Sequence, residues 1–235
     1  WFAGQGGQAV LSRVPVTLVA DHSALLWQDL PDTLMAPDDP GAGLQRLAST
    51  GFWHLRLGTP DPVALLTLGA TPPVFDGPED RNGRRNHDEV AFWRHVLDGR
   101  IGPVPEAPVV VLGNANLDPL RGNGRRQAIV ELLASSRLQD PAPGRATVTW
   151  GSTGPMRVSY VLPDRTLRVL DAGVTSPGDG AGPHALSWVE IALPAPRSPR
   201  AAPPLPHRVG ATADRRPQAV RGPAGAAYSR DSASR

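Results

Sequence analysis

The run Val109-Val110-Val111-Leu112-Gly113-Asn114-Ala115-Asn116-Leu117-Asp118-Pro119 opens with four apolar residues and closes in a polar turn. Four consecutive apolar residues, three of them β-branched, fit a strand buried on both faces. Gly113 then breaks the run, and Asn-Leu-Asp-Pro reads as a turn in which Asp118 caps the backbone. A buried strand that empties into a polar corner places Asn114 and Asn116 at a sheet edge.

Working outward, Gln8–Val14, Val63–Ala70, Met156–Leu162, Leu167–Leu170 and Ala185–Leu193 are further β-prone runs bounded by Gly, Pro or Asp. Met156–Leu162 alternates most clearly. A first helix is predicted from Asn86, with Asn86 as cap and Glu89 completing a capping box; Val90, Trp93, Val96 and Leu97 form its apolar face and Gly99 its stop. A second helix is predicted over residues 125–135, with Ala128, Ile129, Leu132 and Leu133 inward. The Asp-, Pro- and Gly-rich stretch from Pro31 to Gly43 is expected to be a surface loop. Strands interspersed with helices give an α+β class.

Segments in the same order resemble those of the endonuclease/exonuclease/phosphatase superfamily, the DNase I-like fold. Gly4–Arg13 (GQGGQAVLSR) is similar to its "G-x-A-[IV]-L-S-R" segment. Leu65–Pro73 (LLTLGATPP) looks like the strand that normally ends in a catalytic His, and Val74–Glu89 is similar to a signature of one bacterial branch. Val109–Pro119 resembles the strand ending in Gly-Asp-x-Asn. Arg157–Pro163 (RVSYVLP) resembles "R-[IV]-D-Y-[IV]-L", and Gly182–Val189 the closing Ser-Asp-His strand. The resemblance implies a four-layer α/β/β/α sandwich over residues 1–193 with its N-terminal part missing. The family's first metal-binding Glu and an Asn would then lie upstream of Trp1.

It also implies a chemistry: water, assisted by Mg²⁺ or Mn²⁺, attacks a phosphoester in line, and the metal neutralises charge building on the phosphate. Carried onto this chain, the catalytic candidates are Asn116, His184 and Asn114. Asn116 matches the family Asn and His184 the closing His. Asn114 stands where the motif has Asp, Gly69 where the central strand has His, Ser159 where "R-[IV]-D-Y" has Asp, and Pro183 where Ser-Asp-His has Asp. An amide is nearly isosteric with a carboxylate but takes no proton. A positioned acid or base is worth about 10²–10⁴ in rate, so the expectation is a phosphoesterase or nuclease that is impaired or inactive. The competing expectation is a non-enzymatic binding derivative or decayed fragment of that fold.

Asp118 is the first candidate for a rescuing metal ligand and Asp179 the second. Arg84 and Arg85, in the run Arg81-Asn82-Gly83-Arg84-Arg85, are candidate contacts to a phosphorylated substrate. The same arginines would otherwise order a loop with Asp76, Glu79, Asp80, Asp88 and Glu89, which is the preferred reading of those acids. His87 and His95 are too far apart in sequence to form a zinc pair on one helix face.

Every basic residue among the 24 Lys+Arg is an arginine. Residues 1–193 carry 16 Arg against 20 Asp+Glu, a net of −4; residues 194–235 carry 8 Arg against 2 Asp, a net of +6. The basic balance therefore sits in the tail, which weakens any argument from total charge to nucleic-acid binding. That tail, rich in Pro, Ala, Arg and Ser, lacks apolar periodicity and is expected to be disordered. Absence of cysteine excludes disulfides, zinc–thiolate sites and a cysteine nucleophile. No apolar run approaches the ~20 residues of a membrane helix. The chain reads as a soluble monomer acting on a nucleic acid or a small phosphorylated molecule, and any targeting signal is expected upstream of Trp1.

Overall fold

The computed structural model describes residues 7–58, 62–176, 178, 180 and 182–193. The tail 194–235, for which disorder was expected, lies outside the described residues, as do Gly4–Gly6 and Asp179.

Five strands build the main sheet in the order β1-β2-β3-β4-β7: β1 (Val16–Asp21), β2 (Trp53–Leu57), β3 (Ala64–Gly69), β4 (Val109–Asn114) and β7 (Ser159–Pro163). Only the β3–β4 pair is parallel. A parallel pair needs a crossover, and α1 (Arg81–Leu97) supplies it. After β4 comes α2 (Gln127–Leu133). Two antiparallel pairs complete the fold: β5 (Val148–Trp150) with β6 (Gly154–Met156), and β8 (Val169–Thr175) with β9 (Leu186–Ile191).

β4 shows why its sequence is apolar without interruption. Val109 and Val111 face the helices, in a cluster with Leu66 and Leu68 of β3, Val90, Phe92, Trp93 and Val96 of α1, and Ile129 and Leu132 of α2. Val110 faces the other way, clustering with Val63 and Leu167, with Leu65, Leu112, Val161 and Ile191 packed alongside. Period-two alternation sends successive residues to two cores. The helix side is the larger. Phe52 stacks on Phe92 at 4.2 Å, and the buried Trp93 indole donates to Thr67 O at 2.8 Å. Burying each such ring contributes roughly 1.5–3 kcal/mol.

Several boundaries differ from the sequence expectations. Residues 8–14 form no strand; the strand lies past Pro15, as β1, while the Gln8 side chain bonds Thr50 Oγ1 and Gly51 O. Met156–Leu162 is broken in two because Arg157, Val158 and Ser159 turn their N–H groups to side chains: Arg157 to Asp118 Oδ2, the other two to Thr147 Oγ1. Helix α1 starts at Arg81, not Asn86. Asn86 is no cap; it is buried inside the helix, and its amide donates to Thr71 O and Ala115 O. The stop at Gly99 holds, with Gly99 at φ +74°.

Candidate functional site

Three strand ends meet at one edge of the sheet. In the β3–β4 register Gly69 lies beside Asn114, and in the β4–β7 register Asn114 lies beside Ser159. Residues almost fifty apart in sequence thus form one row. Gly113 makes the row possible. A Cβ there would overlap Leu68 O, and its φ of +144° suits glycine.

Asn114 and Asn116 fasten the corner after β4. Asn116 sits at φ +48°, with its N–H donating to Asn114 Oδ1 at 2.9 Å. Asn114 Nδ2 donates to Asn116 Oδ1 at 3.1 Å, and Asn116 Nδ2 to Ala70 O at 2.8 Å. Each amide nitrogen has a second hydrogen left over for a ligand.

A cavity of about 790 Å³ opens beside this row. Pro72, Pro73, Phe75, Trp150, Met156 and His184 line it, with Asn114, Asn116, Asp118 and Arg121 among its polar residues. His184 bridges to Val148 and meets Trp150 edge-on, the ring centres 5.7 Å apart. This is the size of a small-molecule site, apolar with a few convergent polar groups.

Residues 1–212 match the sequence profile of the Endonuclease/Exonuclease/phosphatase family. The chain belongs to that family. The fold is the DNase I-like α+β fold that the sequence motifs implied, and the described residues form a helical layer and the five-stranded sheet, with Ile191 of β9 packed on the sheet's other face. Among solved structures, an endonuclease/exonuclease/phosphatase from Beutenbergia cavernae DSM 12333 is 15% identical, covering 78% of this chain and 45% of its own, at a TM-score of 0.50. The human Nocturnin catalytic domain with bound sulfate anion is 16% identical, covering 75% and 60%, at a TM-score of 0.42. The chain spans about half the length of the first solved structures it matches, 56% of one and 45% of the next. No curated protein matches it in sequence.

The family is generally dependent on a divalent metal. Mg²⁺ requires hard oxygen ligands, commonly one or two carboxylates. Among the described residues the cavity's one carboxylate is Asp118, and both its oxygens are committed. Oδ1 accepts from Leu120 and Arg121 N–H at 2.8 and 2.9 Å, and Oδ2 from Arg157 N–H at 2.6 Å. Asp118 is the turn cap that Asn-Leu-Asp-Pro implies. Among the described residues no three His, Asp or Glu are grouped to hold an ion. The described residues that line the cavity do not fit a divalent cation.

Gly69, where the sequence resemblance would put a His, is closed by a neighbour. Thr50 Oγ1 donates to Gly69 O at 2.8 Å, and a Cβ on Gly69 would overlap that hydroxyl. Behind it Glu89 accepts from Ser49 N–H and Thr71 N–H, both at 2.6 Å, and burial pushes its carboxyl up to about 7.

Arg84 and Arg85 are not among the cavity's lining residues. Arg84 makes a two-pronged ion pair with Asp39 at 2.6 and 2.8 Å; Arg85 donates to Leu47 O and Arg46 O. Asp88, buried, accepts from Trp27 Nε1, Leu34 N–H and Thr33 Oγ1. The sequence reading missed Phe75, Trp150, Arg121 and Thr50. Phe75 and Trp150 each directly precede a turn, at Asp76-Gly77 and Gly151-Ser152, a local sign that a ring can stand at a rim.

Proposed function

We propose that this protein binds phosphoesters in the cavity beside β4 and that its hydrolytic step is impaired. The observation that carries the reading is the row Gly69, Asn114, Ser159 across three adjacent strands. Gly69 has no side chain, and those of Asn114 and Ser159 carry no charge and no group that takes a proton near neutral pH. Asn116 and His184 support ligand binding: the free amide hydrogen and the imidazole are suited to phosphoryl oxygens. No residue of the row activates water. Removing such a base costs about 10²–10⁴ in rate, and losses within one catalytic unit do not add.

The test is turnover of bis-p-nitrophenyl phosphate and of plasmid DNA by the purified protein, with Mg²⁺, with Mn²⁺ and with chelator, beside His184→Ala. The expected result is no chelator-sensitive turnover above the variant. Chelator-sensitive turnover that drops in His184→Ala would overturn the impairment.

A further inference from the structure

Phe75 combines two unfavourable features. Its backbone sits at φ +72°, a left-handed conformation that bulky residues rarely adopt, and its side chain is 91% exposed. Left-handed strain of this kind costs of order 1–3 kcal/mol and persists only where the surroundings enforce it. Here they do. On one side of Phe75, Asn82 Nδ2 donates to Val74 O at 2.9 Å; on the other, Asn82 N–H donates to Asp76 Oδ2. One residue near the start of α1 thus pins both neighbours of Phe75. The ring gains almost no burial from the arrangement, and it stands on the lining of the 790 Å³ cavity.

Four of the other lining groups are rigid rings. Pro72 and Pro73 precede Phe75 in the chain, and Trp150 also lines the cavity, turned edge-on to His184. Leu117 and Val74 are the branched aliphatics. Arg121 brings a cation to the lining, with one guanidinium nitrogen on Pro155 O at 2.8 Å and the rest of its donors available. Rings of this kind match a flat aromatic group, and the cation matches an anion attached to it.

We propose that the cavity selects phosphoesters carrying a flat aromatic ring, and that Phe75 is the residue that stacks on that ring. This rests on the phosphoester reading above and names its ligand class. The strain on Phe75 holds the ring in place before a ligand arrives, which lowers the ordering cost of binding.

The experiment is titration calorimetry on the full chain with chelator present, using three probes: adenosine monophosphate, ribose 5-phosphate and decyl phosphate. The first two carry the same phosphate on the same sugar and differ by the base. The expected result is binding of adenosine monophosphate about 10-fold or more tighter than ribose 5-phosphate, as stacking of a base on an aromatic side chain supplies. That preference is expected to vanish in Phe75→Ala and persist in Phe75→Trp. Phe75→Ala is expected to melt no lower than the wild type, since the ring it removes is exposed. Equal affinity for the two sugar phosphates, a preference for decyl phosphate, or an adenosine preference unchanged in Phe75→Ala would each overturn the proposal and leave phosphoester binding standing. Failure of all three probes to bind would overturn the phosphoester reading itself.

Discussion

Gly69 illustrates how a single position constrains its neighbours. The threonine hydroxyl that meets Gly69 O fills the volume a side chain would need. Gly69→Ala is expected to lower stability by about 1–3 kcal/mol, in the range for overpacking, read by urea unfolding. Adding Thr50→Gly should recover much of that loss, because it removes the clashing group; an additive double variant would show the two residues to be independent. Glu89 makes a second prediction. Burial raises its carboxyl from its ordinary value of 4.5 to about 7, against the opposing pull of Arg85 and the two backbone N–H groups. The folded state therefore holds a proton that the unfolded chain has released. Its contribution is fully present below about pH 4.5 and is lost as pH rises through about 7. The full span is on the order of 3 kcal/mol. From pH 5 to 8 the stability of the wild type relative to Glu89→Gln should fall; His22, His54 and His95, whose pKa values burial lowers, act in the opposite sense and are common to both proteins.

At the scale of elements, α1 does most of the joining. Its buried polar residues reach outward: Asn86 to the loops after β3 and β4, Glu89 to Ser49 and Thr71, Asp88 to the loop around Trp27. Asp88→Ala leaves the buried Trp27 indole N–H and the Leu34 N–H without their acceptor. The expected cost is about 2–4 kcal/mol, as the loss of a buried charged acceptor implies, with quenched-tryptophan fluorescence shifting before global unfolding. A loss under about 0.5 kcal/mol would show that water replaces the carboxylate. The capping-box pattern at Asn86 and Glu89 misplaced the helix start because the same residue types that cap a helix also fasten a buried helix to loops. Sequence spacing does not separate the two uses.

At the scale of the whole molecule, the row Gly69, Asn114, Ser159 is assembled by sheet register, and any chemistry there belongs to the set. Asn114→Asp alone is expected to leave chelator-sensitive turnover within a few-fold of background, because Gly69, Ser159 and Pro183 remain. A gain of 100-fold or more from that one change would show a latent site that needs a single base. The strand motifs were readable because a strand buried on both faces must be apolar throughout, and because Gly113 is required where β4 approaches Leu68. The candidates Asn114, Asn116, His184 and Asp118 do line one cavity. Arg84 and Arg85 lie elsewhere, since a run of arginines in sequence does not say which carboxylate lies across a loop; here it is Asp39.

The sequence by itself determined the class of fold, the order of the main motifs, and which positions of the family pattern carry other residues. Those follow from local rules: apolar alternation, turn residues and residue identity act within a few positions of the chain. Only the tertiary structure decided that Asp118 is spent on three backbone N–H groups, that Thr50 covers Gly69, and that Phe75 is held strained at the cavity rim. Each of these depends on a partner brought close by the sheet register or by the return of α1. Such a neighbour leaves no mark in the residues on either side.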